Sequence, residues 1–184
     1  MTQPSSGKAE TAVARAARAA IRSVQDFPKP GILFRDITPL LANATLFRGV
    51  TDELGAAFSG ESISHVVAVE SRGFIVGAPM AQALGAGLVP VRKPGKLPAA
   101  TLREPYTLEY GNDALEIHAD ALPAGARVLV VDDVLATGGT AAATCRLVER
   151  AGGLIVACVF LIELAALDGR MRLQNRPVSA MVVF

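Results

Sequence analysis

The fold of this chain is decided by the stretch Val128-Leu-Val-Val-Asp-Asp-Val-Leu-Ala-Thr-Gly-Gly-Thr140. Its first four residues are apolar, three of them Val, and they predict a buried strand, Arg127–Val131, followed directly by two acids. A turn with two glycines comes next, and Ala141–Ala151 has the pattern of a helix. Ligands of open α/β sheets bind beyond the carboxyl ends of the strands, so this turn is predicted to line a binding pocket.

The turn itself has the chemistry of an anion site. A helix N-terminus presents N–H groups and the positive end of its dipole, which together favour a phosphate. Gly138 and Gly139 allow the backbone to approach a ligand closely, and the hydroxyls of Thr137 and Thr140 can donate hydrogen bonds. A phosphate is therefore the expected ligand of this turn.

The acids Asp132 and Asp133 stand beside this turn and suit another part of the same ligand. Carboxylates accept hydrogen bonds from sugar hydroxyls, and they also bind cations. The combination indicates a sugar phosphate. A purely structural explanation, a tight glycine turn with an Asp N-cap, stays open at this point. The glycine signatures of NTPases and dinucleotide enzymes are absent from the sequence, which disfavours a dinucleotide-dependent enzyme.

Size and composition favour one well-packed domain across residues 1–184. The 51% hydrophobic and 19% charged content is typical of a buried α/β protein, and a net charge of +1 gives no basic field for nucleic acid. No apolar run approaches the roughly 20 residues that span a bilayer, so no membrane association is expected. Met1–Ala9 is expected to be a disordered tail without a secretory apolar region, which predicts a cytoplasmic protein. Cys145 and Cys158 are predicted to be small buried hydrophobes, and His65 and His118 lack a third ligand for a metal.

Beyond about residue 60 the chain alternates between strand and helix patterns. Helices are predicted at Gly73–Leu84 and after Thr140, and Val178–Phe184 is a candidate edge strand. The other predicted strands are His65–Val69, Gly87–Val91, Arg127–Val131 and Leu154–Ile162. This alternation predicts an α/β fold with a doubly wound, mainly parallel sheet.

The N-terminal part has a different pattern. Glu10–Val24 has helical spacing with arginines on one face, and Phe27–Gly31 is expected to break this helix. Ile32–Ile37 is predicted to be a short extended segment. Asn43 is a candidate N-cap for a helix that carries Leu46, Val50, Leu54 and Phe58.

The segment Arg92–Tyr110 interrupts the alternation. Its beginning is basic and turn-prone, and Gly111–Asp113 separates two short strand-like runs, which is a hairpin signal. Long irregular segments of compact domains are commonly functional lids. Residues 92–118 are therefore predicted to form a mobile lid with a hairpin stem.

Three strand ends should converge at the carboxyl edge of the sheet, and two of them bring cations. Each cation alone is more often a solvated turn residue. Together they supply more positive charge than one phosphate needs, which suits a ligand with a phosphate at one end and a pyrophosphate at the other. The cations in question are Arg72, Arg92, Lys93 and Lys96.

These motifs resemble a known family. The strand, two acids and Thr-Gly-Gly-Thr loop look like the phosphoribosyl-diphosphate motif of the type I phosphoribosyltransferases. Within that superfamily, further blocks in the same order resemble the adenine phosphoribosyltransferases: Phe27–Asp36, Glu70–Phe74, Val91–Pro98 and Leu108–Gly111. The resemblance implies a type I phosphoribosyltransferase fold with an N-terminal base-binding hood. It also implies transfer of phosphoribose from phosphoribosyl diphosphate to adenine, with Mg²⁺ carried by the diphosphate substrate rather than by protein ligands.

The resemblance further implies roles for the residues of the strand ends. Asp132 and Asp133 would bind the ribose hydroxyls, and Arg72, Lys93 and Lys96 would neutralise the departing pyrophosphate. An arginine at the position of Arg92 is expected to reach into the site of a neighbouring subunit, which implies a homodimer. The 5′-phosphate would be held by Ala136, Thr137, Gly138, Gly139 and Thr140.

In the lid, Glu109 is the candidate acid–base residue for proton transfer at the purine, with Tyr110 beside it. From the local sequence alone, an exposed hairpin carboxylate would be the favoured interpretation, and the resemblance favours the catalytic role. Leu33, Phe34 and Arg35 are expected to bind adenine through an apolar slot and backbone hydrogen bonds. Phe34 as an ordinary core residue, and Arg35 with Asp36 as a local ion pair, remain alternatives.

Two other functions stay open from the sequence. A phosphoribosyltransferase for another base would share the Asp132–Thr140 motif, because that motif binds the common substrate. A non-catalytic regulator that binds a purine or the sugar diphosphate could use the same fold. The chain has no extension of the size of a helix-turn-helix domain, which disfavours the regulator.

Overall fold

A computed structural model describes residues 10–108, 111–174 and 176–184. The chain divides into two compact units, Met1–Val50 and Thr51–Phe184. The single domain expected across residues 1–184 stays a prediction.

The first unit consists of short helices and a small hairpin. Helix α1 (Ala12–Ala20) begins where the Thr11 hydroxyl accepts a hydrogen bond from the Ala14 N–H at 3.0 Å. Strands β1 (Arg22–Gln25) and β2 (Leu33–Asp36) are antiparallel and pair Arg22 with Asp36. The predicted extended segment is thus confirmed, but the prediction that the first helix continues to Val24 was wrong. Residues 22–25 leave the helix because their backbone groups pair with β2.

Two helices follow, α2 (Thr38–Ala42), which was not predicted, and α3 (Ala44–Ala56), which continues into the second unit. The Asn43 Oδ1 atom accepts a hydrogen bond from the Leu46 N–H at 3.0 Å, so the predicted N-cap is confirmed. Phe58, expected on this helix, lies beyond its end.

The second unit is built on a parallel five-stranded sheet with the order β4-β3-β7-β8-β9. The predicted α/β fold with a mainly parallel sheet is confirmed. Val66, Val67, Val130 and Phe160 are fully buried, as expected for strands that are covered on both faces. The strands are β3 (His65–Val69), β4 (Gly87–Val91), β7 (Arg127–Leu135), β8 (Leu154–Glu163) and β9 (Val178–Val183).

Helix α4 (Arg72–Leu84) packs against β3 and β7, and helix α5 (Gly139–Arg150) packs against β7 and β8. Cys145 of α5 and Cys158 of β8 are both fully buried with their sulfur atoms 3.5 Å apart, as predicted for small hydrophobes. Two short 3-10 turns, Ala165–Leu167 and Gly169–Leu173, lead to the predicted edge strand β9. None of the helices in the described ranges has the length and apolar character needed to cross a bilayer.

Strand β7 is longer than predicted. Its pairing with β3 ends at Val131, but Val134 and Leu135 continue to pair with β8. The two acids therefore lie within the strand rather than after it, directly beyond the last residue of β7 that pairs with β3.

The segment after β4 contains the predicted hairpin, formed by β5 (Thr101–Leu108) and β6 (Gly111–His118). Both strands are longer than the sequence pattern indicated, since Thr101 already pairs with His118. The Glu104 carboxylate accepts hydrogen bonds from Arg146 at 2.5 Å and Arg150 at 2.8 Å, which attaches the hairpin to α5. That the hairpin is a mobile lid stays a prediction.

Candidate active site

The turn between β7 and α5 is shaped for close approach to a ligand. Gly138 has a φ of +79°, a conformation that residues with a side chain rarely adopt. A Cβ atom at Gly138 would also collide with the carbonyl oxygen of Gly169. Helix α5 begins at Gly139, and its N-cap, Gly138, has no side chain that could accept from the first-turn N–H groups. These N–H groups are thus suited to an anion.

The two acids of β7 have different environments. Asp133 is almost fully buried, and its Oδ2 atom lies 2.6 Å from the Arg72 Nε atom. Asp132 accepts the Asp133 N–H at 2.8 Å through Oδ1. Burial and the adjacent negative charge of Asp133 raise the pKa of Asp132 well above its usual range, although the Asp133 N–H and Arg72 oppose this.

Gly73, in the first turn of α4, allows the helix to lie against these acids. A Cβ atom at Gly73 would lie 3.0 Å from the Asp132 Oδ1 atom and 3.0 Å from the Val131 carbonyl oxygen. Any larger side chain would push α4 away from β7. The ion pair between Arg72 and Asp133 depends on this close packing.

The basic turn after β4 is held by a carboxylate that follows β3. Glu70 accepts hydrogen bonds from Lys96 Nζ at 2.5 Å, from the Lys93 N–H at 2.9 Å and from Arg92 Nε at 3.2 Å. Burial acts to raise the pKa of Glu70, but these hydrogen bonds outweigh it, so the pKa lies below its usual value. On the other side of the turn, the Gly95 N–H donates to Glu116 at 3.0 Å.

A second set of polar contacts joins the basic turn, the hairpin and the glycine turn. Asp113 of β6 accepts from Lys93 Nζ at 3.1 Å and from the Tyr106 hydroxyl at 3.4 Å, and Tyr106 also bonds to Thr140. The hydrogen bond to Asp113 raises the pKa of Lys93. Burial raises the pKa of Tyr106, against the hydrogen bond from Thr140. Both groups therefore keep their protons at neutral pH.

The structure brings most of the predicted residues together at one edge of the sheet. The three strand ends are joined by the contacts of Glu70, Arg72 and Asp113 with their neighbours. Arg92 contacts Glu70 of its own chain, and its role toward a neighbouring subunit stays a prediction. Glu109 and Tyr110 lie outside the described residues, so their predicted roles remain predictions.

The predicted adenine segment lies in the first unit. Phe34 is half-buried and meets Phe27 edge to face, with ring centroids 5.1 Å apart. Phe27 and Leu33 expose about half of their surface, 50% and 44%, which suits a slot that a flat base would cover. Arg35 donates to the Ser23 hydroxyl at 2.5 Å.

Asp36 is not the partner that the sequence suggested for Arg35, because its carboxylate lies 2.6 Å from Arg22 across the hairpin. Hydrogen bonds from the Thr38 N–H and from Arg22 lower the pKa of Asp36 to about 2. This pair holds the two strands of the small hairpin in register.

Sequence reasoning did not assign roles to Glu70, Tyr106, Asp113 or Glu116, although all four contact the predicted site. Glu70 directly follows the buried strand β3, and Asp132 directly follows the last residue of β7 that pairs with β3. An acid at such a position was the signal by which the sequence could have pointed to Glu70. Asp113 looked like an ordinary turn residue. Its contact with Lys93 depends on the register of the hairpin, which the sequence did not define.

The carboxylates at this edge of the sheet decide whether a magnesium ion could bind there. Within the described ranges, no group of three or more His, Cys, Asp or Glu side chains could enclose a metal ion. Magnesium usually keeps several waters and binds one or two carboxylates together with substrate phosphates. The adjacent carboxylates of Asp132 and Asp133, beside the turn that begins α5, fit an ion of that kind.

Comparisons with known proteins show the family of this chain. Residues 39–179 match the phosphoribosyl transferase domain, which defines the class of protein. A curated adenine phosphoribosyltransferase of Myxococcus xanthus is 52% identical over 184 residues, covering 100% of both chains. The solved structure of adenine phosphoribosyltransferase from Rhodothermus marinus is 54% identical with a TM-score of 0.89, and it covers 94% of this chain and 98% of that one.

A third similar protein is the adenine phosphoribosyltransferase of Saccharomyces cerevisiae, solved with D-2,5-dideoxy-2,5-imino-altritol 1,6-bisphosphate and adenine. It is 42% identical with a TM-score of 0.87, over 92% of this chain and 98% of that one. The chain belongs to the adenine phosphoribosyltransferase family, as the resemblance of its motifs indicated.

Proposed function

We propose that this protein transfers the phosphoribosyl group from phosphoribosyl diphosphate to adenine, which forms AMP and pyrophosphate in purine salvage. The observation that carries the proposal is the joining of an anion-binding turn, two adjacent carboxylates and several cations at one sheet edge. Family membership supports adenine as the base.

The sugar diphosphate would bind along this edge from one end to the other. The N–H groups and hydroxyls of residues 136–140 hold the 5′-phosphate, and Asp132 and Asp133 accept hydrogen bonds from the ribose hydroxyls. Arg72, Lys93 and Lys96 bind the diphosphate. The ligand is thus fixed at both ends, with its reactive carbon between carboxylates and cations.

Breaking the bond to pyrophosphate leaves positive charge on the ribose carbon and negative charge on the leaving group. The carboxylates lie on the side of the ribose and favour the first charge, while the cations favour the second. Loss of a single such electrostatic contact typically costs about 10² to 10³ in rate. The same arrangement accelerates the reaction only a little when the base is not held in line with the departing group.

Adenine would bind against the exposed apolar side chains and the backbone of Leu33, Phe34 and Arg35. Backbone groups at Leu33 and Arg35 can meet the N1 atom and the amino group of adenine. Glu109 would assist the proton transfer at N9 as this nitrogen attacks the ribose carbon. A positioned acid or base of this kind contributes about 10² to 10⁴ in rate.

Magnesium would enter with the diphosphate, with Asp132 and Asp133 as the carboxylates that could contact it. Bound in this way, the ion neutralises phosphate charge that would otherwise oppose departure of the leaving group. A homodimer, with Arg92 acting in the neighbouring site, and a cytoplasmic location both remain predictions from the sequence.

Competition between bases tests the proposal. The purified protein is mixed with phosphoribosyl diphosphate, magnesium and equal amounts of adenine, guanine and hypoxanthine, and the nucleotides are separated by chromatography. We expect AMP as the main product, and none from Asp132→Asn. If another base is used in preference to adenine, the assignment is wrong. If pyrophosphate and the sugar diphosphate bind but no nucleotide forms, the protein is a binding regulator instead.

A further inference from the structure

The acid that holds the basic turn is less exposed than the cations of the turn. The side chain of Glu70 is 9% exposed, whereas those of Lys96 and Arg92 are 47% and 35% exposed. Both cations thus lie over a buried carboxylate, with their outer parts open to solvent. A buried carboxylate is stable only when it is paired, and Glu70 is paired three times.

The three hydrogen bonds fix the turn from below. The Oε1 atom accepts from Lys96, and the Oε2 atom accepts from the Lys93 N–H and from Arg92. One carboxylate therefore fixes the side chains of Arg92 and Lys96 and the backbone N–H of Lys93. Glu70 itself is attached to the end of β4, because its N–H donates to the Val91 carbonyl at 2.9 Å.

These contacts leave the cations able to bind a phosphate. A lysine ammonium has three hydrogens and an arginine guanidinium has five N–H donors. Glu70 uses one hydrogen of Lys96 and the Nε hydrogen of Arg92. Arg92 also donates from its guanidinium to the Lys96 carbonyl oxygen at 3.5 Å. Both side chains are partly exposed, and a diphosphate can reach the donors that these contacts leave unused.

We infer that Glu70 is a positioning residue for diphosphate binding, which orients Lys96 and the basic turn without contacting the substrate itself. This inference rests on the proposed function, because it assumes that residues 92–96 bind the diphosphate. Without the carboxylate, two neighbouring cations would repel each other, and the turn would lose three of its contacts. The diphosphate would then have to order the turn as it binds, at a cost in affinity.

A glutamine at position 70 is the sharpest probe. It keeps the size of the side chain, but one acceptor oxygen becomes an NH₂ group that faces a donor. Glu70→Asp keeps the charge and shortens the side chain by one methylene. Glu149→Gln is the matched control, since Glu149 also pairs with an arginine, at 2.6 Å from Arg176, at the opposite end of α5 from the glycine turn.

The experiment measures KM for both substrates, kcat, and the affinity for pyrophosphate by calorimetry. For Glu70→Gln we expect a KM for phosphoribosyl diphosphate and a Kd for pyrophosphate about tenfold higher, which corresponds to about 1.4 kcal/mol for ordering the turn on binding. The KM for adenine should not change. Glu70→Asp should lie between Glu70→Gln and wild type, and Glu149→Gln should match wild type. If Glu70→Gln does not fold, the shift in Glu70→Asp carries the test.

Several results would overturn the inference. A lower KM for phosphoribosyl diphosphate in Glu70→Gln would mean that the acid competes with the diphosphate for its cations. A loss of kcat with both KM values unchanged would indicate a purely structural role. The proposed function is judged separately, by whether the wild-type protein forms AMP, because pyrophosphate binding can be measured whichever base is used.

Discussion

At the scale of single residues, the carboxylate of Asp132 lies beside that of Asp133, and its pKa is raised by burial and by that neighbour. An acid whose folded-state pKa lies above its usual 3.8 binds its proton more tightly in the folded protein than in the unfolded chain. The free energy of unfolding therefore decreases as the pH rises from 3.8 through the folded-state pKa of Asp132. The ionised form, which we propose to bind the ribose hydroxyls, is the less stable one.

Asp132→Asn should consequently raise the melting temperature at neutral pH while it abolishes AMP formation. The asparagine oxygen can still accept the Asp133 N–H, so the local structure is kept. Thermal unfolding as a function of pH checks this, and the difference from wild type should shrink as the pH approaches 3.8. A variant that melts below wild type at neutral pH would show that the Asp132 charge is well solvated.

Gly138 gives a second prediction at this scale, because it combines a positive φ with a close contact. Gly138→Ala should lower the free energy of unfolding by more than the roughly 1–2 kcal/mol that the left-handed conformation costs a residue with a side chain. The reason is that its Cβ would also meet the Gly169 carbonyl. Gly125→Ala is the matched control, with a φ of +77° and nothing within 4 Å. Chemical denaturation measures both variants. Equal losses would mean that the turn relaxes around the added methyl group.

At the scale of elements, Glu104 connects the hairpin to α5. Its hydrogen bond with Arg146 lowers the pKa of Glu104, burial opposes this, and Arg150 adds to the lowering. The pair therefore contributes stability above the usual pKa of 4.5, and this contribution is lost as the pH falls through the lower folded-state value. The charged contact should hold the hairpin at neutral pH.

Glu104→Gln should lower the melting temperature at neutral pH and speed amide exchange in residues 101–118, with no difference in acid. Glu61→Gln is a suitable control, because its pair with Arg127 is about half exposed, 52% and 43%, and such pairs contribute little. Hydrogen exchange followed by mass spectrometry reports on the hairpin directly. Unchanged exchange at 101–118 would mean that the hairpin is held by its apolar contacts instead.

The elements differ in how far the sequence predicted them. Strands β3 and β4 were predicted with their observed bounds, since short Val-rich runs between turns have few alternatives. The end of α1 was missed because residues 21–24 also fit a helical period, and only the pairing of β1 with β2, whose partners are 8 to 14 positions apart, decides against a helix. The extension of β7 was missed for the same reason, since acids are rare in strands.

The candidate site was predicted in part for similar physical reasons. The glycine turn and its acids are contiguous in sequence, so their chemistry could be read directly. Glu70 and Asp113 act on residues 23 and 20 positions away, and these partners become neighbours only through the sheet order and the hairpin register. Long-range ion pairs of this kind cannot be derived from local pattern alone.

At the scale of the whole molecule, the predicted homodimer has a direct test. If Arg92 completes the site of the neighbouring subunit, a homodimer of Arg92→Ala and a homodimer of Asp132→Asn should both be inactive. A mixed dimer with one subunit of each variant should be active. One site of that dimer has both residues intact. After subunit exchange, an equal mixture should recover about a quarter of wild-type activity, as statistical pairing in a two-fold dimer requires. No recovery in verified mixed dimers would place Arg92 in the site of its own chain.

A crystal soaked with AMP measures most directly where a nucleotide binds on this molecule. We expect the phosphate against the N–H groups of residues 137–140 and the ribose hydroxyls within hydrogen-bond distance of Asp132 and Asp133. AMP bound at another place, with this edge of the sheet empty, would contradict this expectation.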